Sequence, residues 1–295
     1  MDLIAISDIY GNQEVLKDLL SKISGSCENR VIIIAGDIDV KASHGYSQSV
    51  DKIFSRLSKE CEYVLYIPGD SDSKDLVSGF SNVINIDERN HVVEMDGVKV
   101  GFFGLGGAPE HSVRPDEPLT YLWNENIPII RQGLMTNLRI QLEKVMIERP
   151  DYLVLVTHSP PYGIADYSTP ITLKEIVVLE EIYEESIAEE HKKEETDVKR
   201  PSRNPRRLGS RMLREFVESY KPDLHIFGHV HKQGGKTAQS HGTSFFNISH
   251  LSPIPYKLTG RKFLSIEITR KGITSSFDSV VLRNLPFPEF LETYL

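Results

Sequence analysis

Short apolar runs recur along the chain, and five of them end at an acid or a histidine. Residues 3–6 (LIAI) run into Ser7-Asp8, 31–35 (VIIIA) into Gly36-Asp37, and 63–67 (YVLYI) into Pro68-Gly69-Asp70. Residues 152–156 (YLVLV) run into Thr157-His158, and 224–227 (LHIF) into Gly228-His229. Continuous runs of this length, rich in Val and Ile, predict strands buried on both faces. Helical spacing fills much of the space between them. Val15, Leu16, Leu19, Leu20 and Ile23 share a stripe in 12–23, Leu134, Leu138, Leu142 and Val145 in 134–147, and Leu213, Phe216 and Val217 in 210–220. Alternating strands and helices predict parallel βαβ units, whose functional groups gather at the carboxyl ends of the strands. All five acids and histidines fall there.

The remaining pattern is more antiparallel. Residues 91–95 and 98–103 flank Asp96-Gly97 and predict a hairpin with a tight turn. Further strands are predicted over 244–248, 263–269 and 274–281. Two packed mixed sheets with outer helices fit this pattern better than a single doubly wound sheet. With neither a repeat nor a linker signal, the sequence reads as one domain, 1–295, with insertions near 109–133 and 171–208. The first insertion reads as a loop holding Tyr121 and the sole tryptophan, Trp123. The second opens with an acidic helix over 171–197, ten Asp or Glu against three Lys. A basic stretch over 199–214 follows, with seven Lys or Arg and no acid, extended by Pro201 and Pro205. Charge runs are ordinarily solvated faces; the alternative here is a lid or a partner surface.

Composition narrows the class. Hydrophobic residues at 39% and charged residues at 26% describe a globular chain rather than a disordered one. No apolar run approaches the ~20 residues of a membrane-spanning helix. The opening MDLIAISDIYGN lacks the basic region of a signal peptide. The expectation is a soluble, cytoplasmic protein without a membrane partner. Cys27 and Cys61 show no metal or redox spacing and read as separate thiols. A net charge of −8 argues against coating nucleic acid by bulk electrostatics, though a local basic site remains open.

The strand ends carry the candidate chemistry. Asp8, Asp37, Asp70, His158, His229 and His231 are carboxylates and imidazoles of the kind that hold two close divalent cations. Any one alone has a plainer reading: Asp8 as the cap of the helix beginning near Asn12, a lone histidine as a core residue. Six at matching strand ends do not reduce to caps. In His229-Val230-His231, alternate positions of an extended chain share a side, and a turn lets both reach one centre.

In the order SDIYGN, GDID, PGDSD, THSPP and GHVH, the sequence resembles the calcineurin-like metallophosphoesterase superfamily from Ser7 to His231. The segment GSRMLREFVESYKPDLHIFGHVHKQGGK is also similar to the branch of small metallophosphoesterases with a Gly-Ser-containing helix before the last histidine pair. The resemblance implies an α/β fold, a four-layer αββα sandwich of two mixed β-sheets flanked by helices. It implies two divalent metal ions, drawn from Mn, Fe, Zn and Ni. On that pattern Asp8 and His231 serve the first metal, His158 and His229 the second, and Asp37 bridges both. Asp70 stands where the family usually has an asparagine. The implied reaction is hydrolysis of a phosphomonoester, phosphodiester or nucleotide, with a hydroxide bridging the metals attacking phosphorus.

Two departures from the pattern bear on mechanism. The histidine of D-x-H is Tyr10, and G-N-H-[DE] reads Gly69-Asp70-Ser71-Asp72. Tyr10 is open to two readings, a phenolate ligand or a neutral ring that fills the space. A carboxylate at Asp70 strengthens cation binding while reducing the positive charge that attracts phosphate. Ser71 replaces a histidine that in the family assists the phosphoryl or leaving group. Asp72 or a loop histidine, His44, His111 or His250, is offered in its place, so the candidate catalytic groups are Tyr10, Asp72 and His111. Without that histidine, good leaving groups are expected to be favoured: activated esters, diesters or anhydrides over alkyl monoesters.

Three readings follow. The first is a phosphoesterase acting on a small phosphorylated molecule. The second is a nuclease, with the basic stretch tracking a phosphate backbone and Tyr121 and Trp123 stacking bases. The third is a non-catalytic scaffold with a decayed site, for which Tyr10 and Ser71 speak. Five pattern residues and Asp70 speak against it.

Overall fold

In the computed structural model, which describes residues 1–23, 27–39, 48–113, 121–168, 206–249, 251 and 261–280, all five apolar runs form strands. In chain order the first half contains β1 (Asp2–Ile6), α1 (Gln13–Ile23), β2 (Arg30–Ala35), α2 (Gln48–Leu57), β3 (Tyr63–Ile67), β4 (Val83–Asn85), β5 (Asn90–Met95) and β6 (Val98–Leu105). Short strands β7 (Ala108–Pro109) and β8 (Leu122–Trp123) precede α3 (Pro128–Ile147) and β9 (Tyr152–Thr157). Then come β10 (Tyr167–Ser168), β11 (Arg206–Arg207), α4 (Arg211–Tyr220), β12 (Leu224–Phe227), β13 (Thr237–Ser240), β14 (Thr243–Asn247), β15 (Arg261–Thr269) and β16 (Gly272–Val280).

Two six-stranded sheets carry the architecture, in the orders β16-β15-β1-β2-β3-β4 and β13-β14-β12-β9-β6-β5. In the first, β1, β2, β3 and β4 are parallel and β15 runs against β1. In the second, β14, β12, β9 and β6 are parallel, with antiparallel β13 and β5 at the edges. Alternation along each strand decides the layers, because successive side chains face opposite sides. Leu3, Ala5, Ile33, Ala35, Leu65 and Ile67 meet Val100, Phe102, Val154, Val156 and Ile226 between the sheets. Ile4, Ile6, Ile32, Ile34, Val64 and Tyr66 face outward onto Leu16, Leu19, Ile53 and Phe54 of α1 and α2. Phe103, Leu105, Leu155 and Phe227 pack on Leu138, Leu142, Leu213 and Phe216 of α3 and α4. The result is two large mixed sheets flanked by helices, the expected α/β arrangement.

The structure changes several local readings. The 109–133 segment is not a loop throughout: α3 begins at Pro128, six residues before the predicted start. Proline suits a first turn, and Gly133 is tolerated inside the helix. Tyr121 and Trp123 are buried, with Tyr121 Oη donating to Asp87 Oδ1 (3.3 Å) and Trp123 Nε1 to the Gly106 carbonyl (3.2 Å). Neither ring presents a face for a base to stack on. Asn12, not Asp8, caps α1, its Oδ1 accepting from Val15 N at 3.1 Å. Ser210 caps α4 by accepting from Leu213 N, and donates its own proton to Glu125 at 2.6 Å. Cys61 is buried and Cys27 exposed, both free thiols. The acidic run 171–197, the stretch 199–205 and the loop histidines His44 and His250 lie outside the described residues. Among the described residues no helix is long and apolar enough to cross a membrane.

Candidate metal centre

Each candidate loop begins where a parallel strand stops. β1, β2 and β3 are neighbours in one sheet, and β9 and β12 in the other, so the parallel register brings five carboxyl ends to one edge of the sandwich. Asp8, Asp37 and Asp70 leave the first sheet; His158 and His229 leave the second. His231 follows in a single 3₁₀ turn, His231–Gln233.

The backbone there is unusual. Asp8 (φ 58°), Tyr10 (φ 49°), Asp37 (φ 52°) and His229 (φ 68°) all occupy the left-handed region. That conformation costs roughly 1–2 kcal/mol per L-residue, so the surrounding contacts must hold it. The glycines before the ligands allow the loops to close in. Gly36 has φ 91°, and a Cβ there would run into the His158 ring and the Gly69 backbone; one at Gly69 would run into Asp37.

Six side chains converge there. His158 Nε2 lies 2.6 Å from Asp70 Oδ1 and 3.5 Å from Asp37 Oδ2. His229 Nδ1 lies 3.1 Å from the same Asp70 oxygen, and His231 Nε2 lies 3.0 Å from Asp8 Oδ1. Two overlapping groups, Asp70–His158–His229 and Asp8–Asp37–His158, each bring their candidate ligand atoms within 4.8 Å of one another. His158 is oriented from behind: its Nδ1 is 2.8 Å from the Ala35 carbonyl. A carbonyl only accepts, so Nδ1 keeps its proton there, and Nε2 is the nitrogen that faces the acids.

Charge explains the coupling. Burial pushes the Asp70 carboxyl up, but His229 and His158 outweigh it and hold it well below the usual range. Burial and Asp70 raise Asp37, and the His158 charge and hydrogen bond turn that into a net lowering. Burial opposes protonation of His158 and His231, yet Asp37 and Asp70 lift the first well above its ordinary value and Asp8 lifts the second. Two buried carboxylates, Asp37 and Asp70, thus depend on positive charge at this spot. Carboxylate oxygens and imidazole nitrogens directed at one another form an N/O donor set that fits divalent cations of the Mn, Fe, Zn and Ni class.

The departures from the pattern are also here. Tyr10 Oη donates to Asp37 Oδ2 at 2.6 Å and lies 3.2 Å from His231 Nε2. Burial first, then Asp37, Asp8 and Asp70, raise its pKa well above the ordinary value, so in the protein alone it is a phenol. Ser71 Oγ donates to Asp37 Oδ1 at 2.6 Å, reinforced by Ser71 N at 3.1 Å. Asp72 and His111, offered as replacements for the missing histidine, are held elsewhere. The Asp72 carboxylate accepts from Gly69 N (2.8 Å), Ile38 N and Asp39 N (both 3.1 Å), tying the β2 and β3 loops together. Burial and Asp37 push it up to about 7. His111 Nε2 is 3.3 Å from the Gly209 carbonyl and Nδ1 is 3.8 Å from Glu125.

Sequence reasoning passed over Ser112, whose Oγ is 3.0 Å from His229 Nε2. No spacing rule marks it, since β7 and its turn are recognisable only in three dimensions. Asn247 donates to the Val230 carbonyl (3.3 Å), between the two histidines, and to the Ala165 carbonyl (3.1 Å).

The calcineurin-like phosphoesterase model matches residues 1–233. No curated protein matches the sequence. Among solved structures, TT1561 of Thermus thermophilus is similar at 14% identity and TM-score 0.51, covering 94% of this chain and 98% of its own. That likeness is one of fold. Lower TM-scores relate the chain to a phosphopantetheinyl hydrolase from Mycobacterium tuberculosis (17% identity, 0.44, 85% and 89% covered) and to Haemophilus influenzae NAD nucleotidase (10%, 0.47, 94% and 49%).

Proposed function

The chain belongs to the calcineurin-like phosphoesterase family, and on that footing we propose that it hydrolyses phosphate esters at a centre of two divalent cations. Asp8, Asp37, His231 and the adjoining Tyr10 would surround one cation, and Asp37, Asp70, His158 and His229 the other. The observation that carries this reading is the convergence of three buried carboxylates with His158 and His229 in two groups that share His158, with His231 3.0 Å from Asp8 beside them. Bound cations would supply Lewis acidity, neutralising phosphoryl oxygens and lowering the pKa of coordinated water.

The chain's own contribution is positioning and charge, which dominate phosphoryl transfer. Asp37 is fixed at both oxygens by Tyr10 and Ser71, and His158 is fixed in one tautomer by Ala35. Asp72 braces the loops that carry Asp37 and Asp70. Among the described residues, Asp72 and His111 are engaged with backbone groups and Glu125 rather than with the proposed ligands, which supports a preference for activated esters, diesters or anhydrides in a small phosphorylated substrate. The burial of Tyr121 and Trp123 removes one support of the nuclease reading.

The test is metal analysis of the purified protein, then hydrolysis of an aryl phosphodiester with added manganese. Bound metal and turnover abolished by Asp37→Asn are expected. A protein that takes up no metal is a scaffold, and a fully active Asp37→Asn refutes the site.

A further inference from the structure

We propose that Ser112 is a positioning residue that commits His229 to presenting Nδ1 to the metal centre. The inference rests on the metal-centre reading above, and the argument is one of hydrogen-bond direction. Ser112 Oγ lies 2.7 Å from the Pro109 carbonyl and 3.0 Å from His229 Nε2. A hydroxyl has one proton, and a carbonyl can only accept. The Ser112 proton therefore goes to Pro109, and toward His229 the oxygen is an acceptor. Nε2 must carry the imidazole proton. Nδ1 lies 3.1 Å from Asp70 Oδ1, which also only accepts, so in the metal-free protein a proton sits between them; with Nε2 committed to Ser112, Nδ1 is the nitrogen that would exchange its proton for a cation. The side chain of Ser112 is buried, which spares this relay from competition with water.

The arrangement mirrors the other side of the same carboxylate. His158 is set by the Ala35 carbonyl on Nδ1 and presents Nε2; His229 is set by Ser112 on Nε2 and presents Nδ1. Both of these nitrogens face Asp70 Oδ1. Ser112 belongs to the 3₁₀ turn Glu110–Ser112 that follows β7, so the loop after β6 orients a ligand that the β12 loop provides.

Manganese binding to the wild-type protein, Ser112→Ala and Ser112→Thr is to be measured by titration calorimetry, with thermal melts of the metal-free proteins alongside. Loss of a partner that orients a ligand typically weakens metal affinity 10–100-fold. Ser112→Ala is expected to show that loss with an unchanged metal-free melt, and Ser112→Thr, which keeps the hydroxyl, to recover it. Nitrogen-15 spectra of the zinc-loaded proteins are expected to show His229 protonated at Nε2 in the wild type and mixed tautomers in Ser112→Ala. Wild-type affinity in Ser112→Ala, or a zinc-loaded wild-type His229 protonated at Nδ1, overturns the assignment of Ser112 alone. A wild-type protein that binds no manganese overturns the metal centre, and the assignment with it.

Discussion

Tyr10 donates its phenolic proton to Asp37 at 2.6 Å, on the carboxylate oxygen opposite the one that accepts from Ser71 at 2.6 Å. The two positions where the sequence departs from the family pattern thus converge on one side chain. Removing either donor leaves a buried carboxylate with a strong hydrogen bond missing. Tyr10→Phe and Ser71→Ala are each expected to lower turnover about 10–100-fold. The double variant should lose less than the product of the two, because both act through one group. Strictly multiplicative losses would indicate independent roles.

Gly36 makes the approach of the two sheets possible. Its φ of 91° disfavours a side chain, and the space a Cβ would need is filled by the His158 ring and the Gly69 backbone. Gly36→Ala is expected to cost at least about 1–2 kcal/mol from the backbone alone. Urea unfolding checks this, and an unchanged midpoint would show that the loop repacks freely.

Asp87 sits away from the proposed ligands, beneath Tyr121, and accepts from Gly106 N at 2.7 Å. Burial, its largest influence, raises its carboxyl from 3.8 to about 6. The folded state therefore prefers the protonated acid. Its contribution to stability is fully present below pH 3.8 and lost as the pH rises through about 6. The loss is on the order of 3 kcal/mol, since each tenfold change in proton affinity is worth about 1.4 kcal/mol. The histidine-paired Asp37 and Asp70 slope the other way, so the effect must be read as a difference. The stability of Asp87→Asn relative to wild type is expected to improve as the pH rises from about 4 to about 7, measured by denaturant unfolding. A pH-independent difference would mean Asp87 titrates normally.

The strands were legible because burial on both faces leaves a local trace, a run of Val and Ile with an acid or histidine at its end. The start of α3 was less legible: Gly133 looked like a boundary, yet helix packing through Leu138, Leu142 and Val145 carries the helix back to Pro128. Tyr121 and Trp123 looked like loop aromatics because nothing local announces that Asp87 and Gly106 satisfy their polar atoms inside the fold.

Local pattern therefore determined the strands and the candidate ligands at their ends, since strand formation and the residues at strand ends depend on neighbours in sequence. Which ligand faces which was decided only by the tertiary structure. Parallel register aligns β1, β2 and β3, packing of the second sheet brings β9 and β12 to the same edge, and only then do Asp70, His158 and His229 meet across separations of 88 and 159 residues. The same packing turned Asp72 from a candidate acid into a brace, Tyr10 and Ser71 into partners of Asp37, and Ser112 into the neighbour of His229. Hydrogen-bond direction is a property of contacts, and these contacts are remote along the chain.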